Sequence, residues 1–269
     1  MQKHLDTIKK IKNNILELKE FLKESEHHNF KEYIDKKYNQ YNKSFEEAFD
    51  PSRQINLDMR YFSDVRTLAK YNENLITGWL IEDFFIFLFK IPIFKDYNFK
   101  IEIESHDSDR IIKKERDYIN SDPDFIVKHN NVDFKIEIQS LLINYHMFHI
   151  KKNKANRMLN NNSFIYHLNL QNKEIIFLNA ADIKEIGKLT SIRAFGGKKG
   201  YEFINEQIPK NKKFQFDSQL LNKIIVTLYW FYLCKKYGIE DFHIKRNEIL
   251  QNHNSIISLL KHIKESSNL

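Results

Sequence analysis

Two runs rich in β-branched and aromatic residues flank Asn130-Asn131, and that pattern commits residues 124–139 (DFIVKHNNVDFKIEIQ) to a tight antiparallel hairpin. Asparagine tolerates the positive φ angles of a two-residue type I′ turn. With these residues at the turn, His129 faces Val132, Lys128 faces Asp133, Phe125 faces Ile136 and Asp124 faces Glu137. Successive side chains point to opposite sides of a strand, and directly opposed residues share a side, so hydrophobicity tests the register. One side collects Phe125, Val127, Val132, Phe134, Ile136 and Ile138. The other collects Asp124, Ile126, Lys128, Asp133, Lys135, Glu137 and Gln139.

Opposed Cβ atoms in such a pair lie roughly 4.5–5.5 Å apart, which brings the carboxylates of Asp124 and Glu137 within reach of one divalent cation. Like charges that close repel, and a shared cation is the usual compensation.

Pro123-Asp124, then Glu137 thirteen positions after Asp124, then Glu137-Ile138-Gln139-Ser140, resembles the motif of the PD-(D/E)xK nucleases. The resemblance implies that Asp124 and Glu137 hold Mg²⁺, which activates the attacking water and stabilises charge on the phosphate. Gln139 stands where most members carry Lys, and a minority of restriction endonucleases are similar to this chain in having Glu-x-Gln there. A Gln orients water or a phosphate oxygen but is no cation, so a second metal or Lys135, on the same side as Glu137, would compensate. A rival alignment takes Asp133-Phe134-Lys135 as the acid-x-Lys element. The register sets Asp133 against Lys128, well removed from Asp124, and ranks it lower.

Members of this superfamily often place a helix with a further glutamate before the first core strand. Residues 74–89 (NLITGWLIEDFFIFLF) look like that helix, with Glu82 as the candidate. Helical spacing puts Glu82 beside Gly78, Trp79, Phe85 and Ile86, surroundings in which an unpaired carboxylate is costly. Strands are expected at 99–104 (FKIEIE), 163–170 (SFIYHLNL) and 174–178 (EIIFL), with a helix at 144–159 (NYHMFHIKKNKANRML). The order is similar to the family's common core, and the resemblance covers residues 72–182.

Cationic side chains cluster around this core. Arg110, Lys113 and Lys114 precede the Asp-Pro-Asp, Lys151, Lys152, Lys154 and Arg157 fall in the expected helix, and Arg193, Lys198 and Lys199 accompany the glycines of residues 190–201 (TSIRAFGGKKGY). These are the candidate DNA-binding residues, the last group being the best candidate for groove recognition. His146 and His149, three apart, are weak metal candidates without partner ligands. The glycine segment lacks the spacing of a Walker loop.

The formal charge of +7 favours an anionic partner, although abundant Lys and Asn make charge alone a poor guide. One cysteine, Cys234, excludes an intrachain disulfide, which fits a reducing cytoplasm. The first residues lack the apolar core of a signal peptide, and runs such as 84–89 and 224–234 are too short to cross a bilayer. Leu5, Ile8, Ile11, Ile15, Leu18 and Leu22 form a helical stripe that must pack on the core or on a second subunit.

The expectation is therefore an α/β chain with a restriction-endonuclease-like core, a central mixed sheet flanked by helices, and helical extensions at both ends. Its parts are an N-terminal extension at 1–71, a nuclease core at 72–182, and a recognition loop with C-terminal helices at 183–269, packed as one domain with the core. The implied activity is Mg²⁺-dependent cleavage of double-stranded DNA by a type II restriction endonuclease, a cytoplasmic homodimer accompanied in its system by a DNA methyltransferase. A Holliday-junction or repair nuclease, or a catalytically silent DNA-binding module, are the alternatives.

Overall fold

The computed structural model describes residues 2–49, 67–103, 124–141, 146–161, 163–192, 199–237 and 253–266. One end of its main sheet is built from β1 (Lys100–Ile103), the edge strand, β2 (Phe125–His129) and β3 (Val132–Leu141). The β2–β3 pairing runs from Phe125 opposite Ile136 to His129 opposite Val132, the register read from the sequence. Asn130 and Asn131 take φ of 46° and 63° at the turn, as a type I′ hairpin requires. Behind the turn His129 is buried, stacks on Phe99 at 4.5 Å and lies 3.1 Å from the carbonyl of Asn98, so the tip of the hairpin is fastened to the residues before β1.

Beyond β3 the chain forms β4 (Met147–Lys151), α-helix Lys152–Asn161, β5 (Phe164–Asn169) and β6 (Glu174–Leu178), and later β7 (Lys188–Ser191), β8 (Lys199–Ile204) and β9 (Lys213–Gln215). The larger sheet has the order β1-β2-β3-β5-β6-β9 and is mixed: β3 and β5 are parallel, the other neighbours antiparallel. The smaller is β4-β8-β7, all antiparallel. The helices are α1 (Gln2–Leu16), α2 (His27–Ala48), α3 (Leu68–Phe89), α4 (Ile93–Asp96), α5 (Lys152–Asn161), α6 (Ala180–Ile186), α7 (Leu220–Tyr237) and α8 (His253–Ser266).

Three of these elements correct the sequence reading. The helix expected over 144–159 begins only at Lys152, because Met147–Lys151 alternates half-buried with buried residues and pairs with β8. The segment 190–201, expected as a loop, contributes its ends to the strands β7 and β8. The helix expected from residue 74 starts earlier, at Leu68, where the Thr67 hydroxyl accepts a hydrogen bond from the Lys70 amide.

The two faces of the larger sheet have different covers. Phe125, Val127, Phe134, Ile136, Ile138, Phe164, Tyr166 and Phe177 pack in the main core with α1, α2, α3, α7 and α8. The N-terminal stripe is spent here: Ile8, Ile11, Ile15, Leu18 and Leu22 are buried in the same chain. α3 runs through this layer and meets α1 and α2 through buried acids. Asp83 accepts a 2.5 Å hydrogen bond from Tyr41, and Glu73 lies 2.6 Å from His4 Nδ1 and pairs with Lys70. No helix among the described residues is long and apolar enough to cross a membrane.

On the opposite face, Ile165, Ile176 and Leu178 form a second core with Phe148 and Ile150 of β4, Ala155 and Met158 of α5, Ile183 of α6 and Phe203 of β8. One polar residue of β5 is caught in it. His167 is 1% exposed, stacks on Phe148 at 4.0 Å, and neither ring nitrogen meets a partner among the described residues.

Burial pushes the His167 imidazole from its ordinary 6.5 down to about 3. Because the folded value lies below the unfolded one, the unfolded state takes up the extra proton. The stability tied to a neutral His167 is therefore full above pH 6.5 and is lost as pH falls from there toward 3, by up to about 1.4 kcal/mol per pH unit. His167→Phe should remove this component. In urea unfolding at several pH values, the stability of wild type relative to the variant should decline through that window; a constant difference would show that His167 is not held neutral.

Candidate functional site

The hairpin register puts Asp124 at the mouth of β2, one position beyond the Phe125–Ile136 pair and on the side of Glu137. Asp124 Oδ2 accepts a 2.6 Å hydrogen bond from the Ile138 amide, which fixes its carboxylate against β3 next to Glu137. Glu137 is 7% exposed. It sits on the face of the second core, paired across the parallel ladder with Ile165.

A cation meets these acids, and it comes from α5. The Lys154 ammonium forms an ion pair with Glu137 Oε2. Its position follows from packing: Ala155 and Met158, one helical turn apart, are buried with Ile165, the residue beside Glu137 in the sheet. Anchoring α5 over Ile165 delivers the adjacent Lys154 to Glu137. Burial alone would push the ammonium pKa down, but the charges of Glu137 and Asp124, the hydrogen bond to Glu137 and the charge of Glu82 outweigh it and hold Lys154 above its ordinary value. Asp124, Glu137, Glu82 and Lys154 thus form one electrostatic cluster.

The remaining sequence candidates are distributed around it. Glu82 is half-buried on α3, while its neighbours Trp79, Phe85 and Ile86 are buried; the fully buried acid of that helix is Asp83. Gln139 is half-exposed on the same face as Glu137 and opposite His167. Lys135 is half-buried opposite Ile126, on the turn side of Glu137. Asp133 is exposed at the far end of the hairpin opposite Lys128, whose ammonium lies 2.8 Å from Glu102. That leaves the rival acid-x-Lys alignment without a facing acid.

Of the basic candidates, Lys151 ends β4 and is exposed, Lys152 is half-buried and Arg157 exposed on α5, and Lys199 opens β8 and is exposed. Ser121, Asp122, Pro123, Arg110, Lys113, Lys114, Arg193 and Lys198 lie outside the described residues. His146 and His149 do not form a helical pair: His149 lies on β4, 3.2 Å from Glu202, and His146 precedes the strand, 2.9 Å from Glu206.

Sequence reasoning placed Lys154 among phosphate-tracking residues and missed its convergence on the acids. The change of period after Lys151, from the alternation of Phe148 and Ile150 to the helical spacing of Ala155 and Met158, marks where the helix begins but not what it packs on.

Mg²⁺ binds through one or two carboxylates and completes its shell with water and phosphate oxygens. Asp124 and Glu137 fit that donor set, and no group of three His, Cys, Asp or Glu side chains that could hold a metal occurs among the described residues. No protein-family model, curated protein or solved structure matches the chain.

Removing Lys154 should expose how strained the acids are without a cation. Lys154→Met leaves the carboxylates uncompensated, at a cost of about 2 kcal/mol near neutral pH, less than for a fully buried pair because about a quarter of the Lys154 side chain is exposed. Protonation of the carboxylates removes their mutual repulsion, so the deficit should shrink at acidic pH. Urea midpoints at pH 7 and pH 4.5 check this. A deficit equal at both pH values would mean that Lys154 contributes packing alone.

Proposed function

We propose that the chain is a Mg²⁺-dependent endonuclease acting on double-stranded DNA, with a restriction-endonuclease-like core of the PD-(D/E)xK type. The observation that carries this reading is the convergence of Lys154 from α5 on Asp124 and Glu137 from the β2–β3 hairpin. Two acids on one sheet face, met by a lysine from a helix that covers that face, are similar in charge to the resembled motif, with Lys154 in place of the usual lysine at Gln139. Bound between Asp124 and Glu137, Mg²⁺ would supply a Lewis acid and a water of lowered pKa.

The chain's own residues account for the rest. The Ile138 amide orients Asp124 by holding one carboxylate oxygen. Lys154 carries a fixed positive charge to the place where negative charge accumulates on a phosphate oxygen during displacement, and its high pKa keeps it protonated at neutral pH. Glu82 adds negative charge that favours the protonated form of the lysine. Gln139, half-exposed one residue pair along β3, is placed to orient a water or a phosphate oxygen by its amide. Lys151, Lys152 and Arg157 extend positive charge from the cluster along β4 and α5, a segment (147–161) without an acidic residue, as backbone tracking requires. A type II restriction endonuclease working as a homodimer on a two-fold site is the form of this activity that we favour, in the cytoplasm and with a separate DNA methyltransferase as the companion activity.

Conversion of supercoiled plasmid to open-circular and linear forms in Mg²⁺ is the test. Chelation by EDTA, Asp124→Ala and Glu137→Ala should each abolish conversion, while Asp133→Ala should cut at close to the wild-type rate. Lys154→Ala should slow single-turnover cleavage by roughly 100-fold or more, as expected for losing a preorganised charge, and by more than Gln139→Ala does. Full activity of Lys154→Ala together with an inactive Gln139→Ala would move the third role to Gln139. Wild type that binds duplex DNA but never cuts it would make the chain a silent binding module.

A further inference from the structure

We propose that the β7–β8 ribbon is the element that reads base sequence, by entering the major groove of the duplex whose backbone is held at the Asp124–Glu137–Lys154 cluster; the proposal rests on the nuclease reading for its choice of DNA. Its pairs are Lys188 with Glu202, Leu189 with Tyr201, Thr190 with Gly200 and Ser191 with Lys199. β7 is the outer strand of the smaller sheet. Lys188, Leu189, Ser191 and Lys199 are exposed, Leu189 by 45%, one of three large apolar side chains so displayed among the described residues. A two-stranded ribbon fits the major groove, where hydroxyls meet base edges and an apolar side chain meets the thymine methyl, while its lysines reach the flanking phosphates. Leu189 is assigned that methyl, and Ser191, two positions along β7 and so on the same side, the neighbouring edge.

The ribbon is rigidly placed relative to the cluster. At its root a Cβ on Gly187 would lie 2.6 Å from the Ile183 carbonyl and 2.7 Å from the Phe203 ring, so only glycine lets β7 start this close to β8. Phe203 stacks on Phe148 at 4.7 Å, and Phe148 on His167 of the larger sheet. Across the smaller sheet Thr190, Gly200 and Lys151 form one row. At a strand spacing of about 4.8 Å, Thr190 lies roughly 10 Å from Lys151, the residue that leads directly into α5 and Lys154.

The occupant is chosen by charge. Residues 187–201 hold Lys188, Arg193, Lys198 and Lys199 and no acid. The acid in the ribbon's pairs, Glu202, faces Lys188 and lies 3.2 Å from His149, so pairing this edge with a second copy would still bring two net-cationic segments together, whereas a duplex neutralises them.

The test selects from a pool of duplexes with a randomised core, bound to the full chain in Ca²⁺, and measures plasmid cleavage in Mg²⁺ separately. Wild type should enrich a defined motif. A variant carrying Leu189→Ala and Ser191→Ala, both exposed and checked for an unchanged urea midpoint, should lose preference at one or two positions by roughly 10- to 100-fold each. Its affinity for unselected DNA should stay within about threefold, because phosphate contacts supply that term. Lys188→Ala with Lys199→Ala should instead keep the motif and lower the salt slope by up to about 2.

Enrichment of the wild-type motif by the double variant, or of no motif by wild type, overturns the proposal, and retained plasmid cleavage then leaves the nuclease reading standing. So does a double variant that keeps the motif but turns a dimer into a monomer in sedimentation, since the edge would then face a second copy. A motif that depends on the ribbon, without any cleavage, would support the reader and remove the nuclease.

Discussion

Two carboxylates facing one another across a hairpin repel, and a structure that keeps them on a mostly buried face must bring positive charge to them. Asp124 and Glu137 are held in this relation by the type I′ turn at Asn130-Asn131, whose register leaves no choice of partner, and by the Ile138 amide. The remainder of the second face answers that demand. The chain leaves β3, forms β4, and returns through α5 so that Lys154 lies on Glu137 before β5 enters the sheet parallel to β3.

The fold treats its other buried acids differently. Asp83 and Glu73 on α3 are met by tyrosine hydroxyls, a histidine and a lysine from α1, α2 and their own helix, and Asp182 by the Lys212 ammonium at 2.6 Å. Those contacts join elements of secondary structure around single acids. The hairpin cluster instead gathers three acids around one lysine, an excess of negative charge that suits a site able to take up a further cation.

The hairpin was legible because its information is local: alternation fixes the faces, and paired asparagines fix the turn. β5 and β6 were equally plain as apolar runs bounded by polar turns, and the N-terminal stripe showed a helix, although not that α3 of the same chain would cover it. The smaller sheet was not legible. Its strands are short and interrupted by charged residues, and Met147–Lys151 carries the same basic residues as the helix that follows, so a helical reading ran through both. Whether Lys154 or Gln139 meets the acids depends on α5 packing on Ile165, a contact between elements that no spacing in the sequence encodes.

The central claim is that Asp124 and Glu137 form one divalent-cation site. Electron paramagnetic resonance of Mn²⁺ titrated into the full chain, with Mg²⁺ as competitor, reads that site without reference to cleavage. The account predicts Mn²⁺ binding in wild type and in Asp133→Ala, displaced by Mg²⁺, and its loss in the folded Asp124→Ala/Glu137→Ala variant. Undiminished binding in that double variant, or none in wild type, would contradict it.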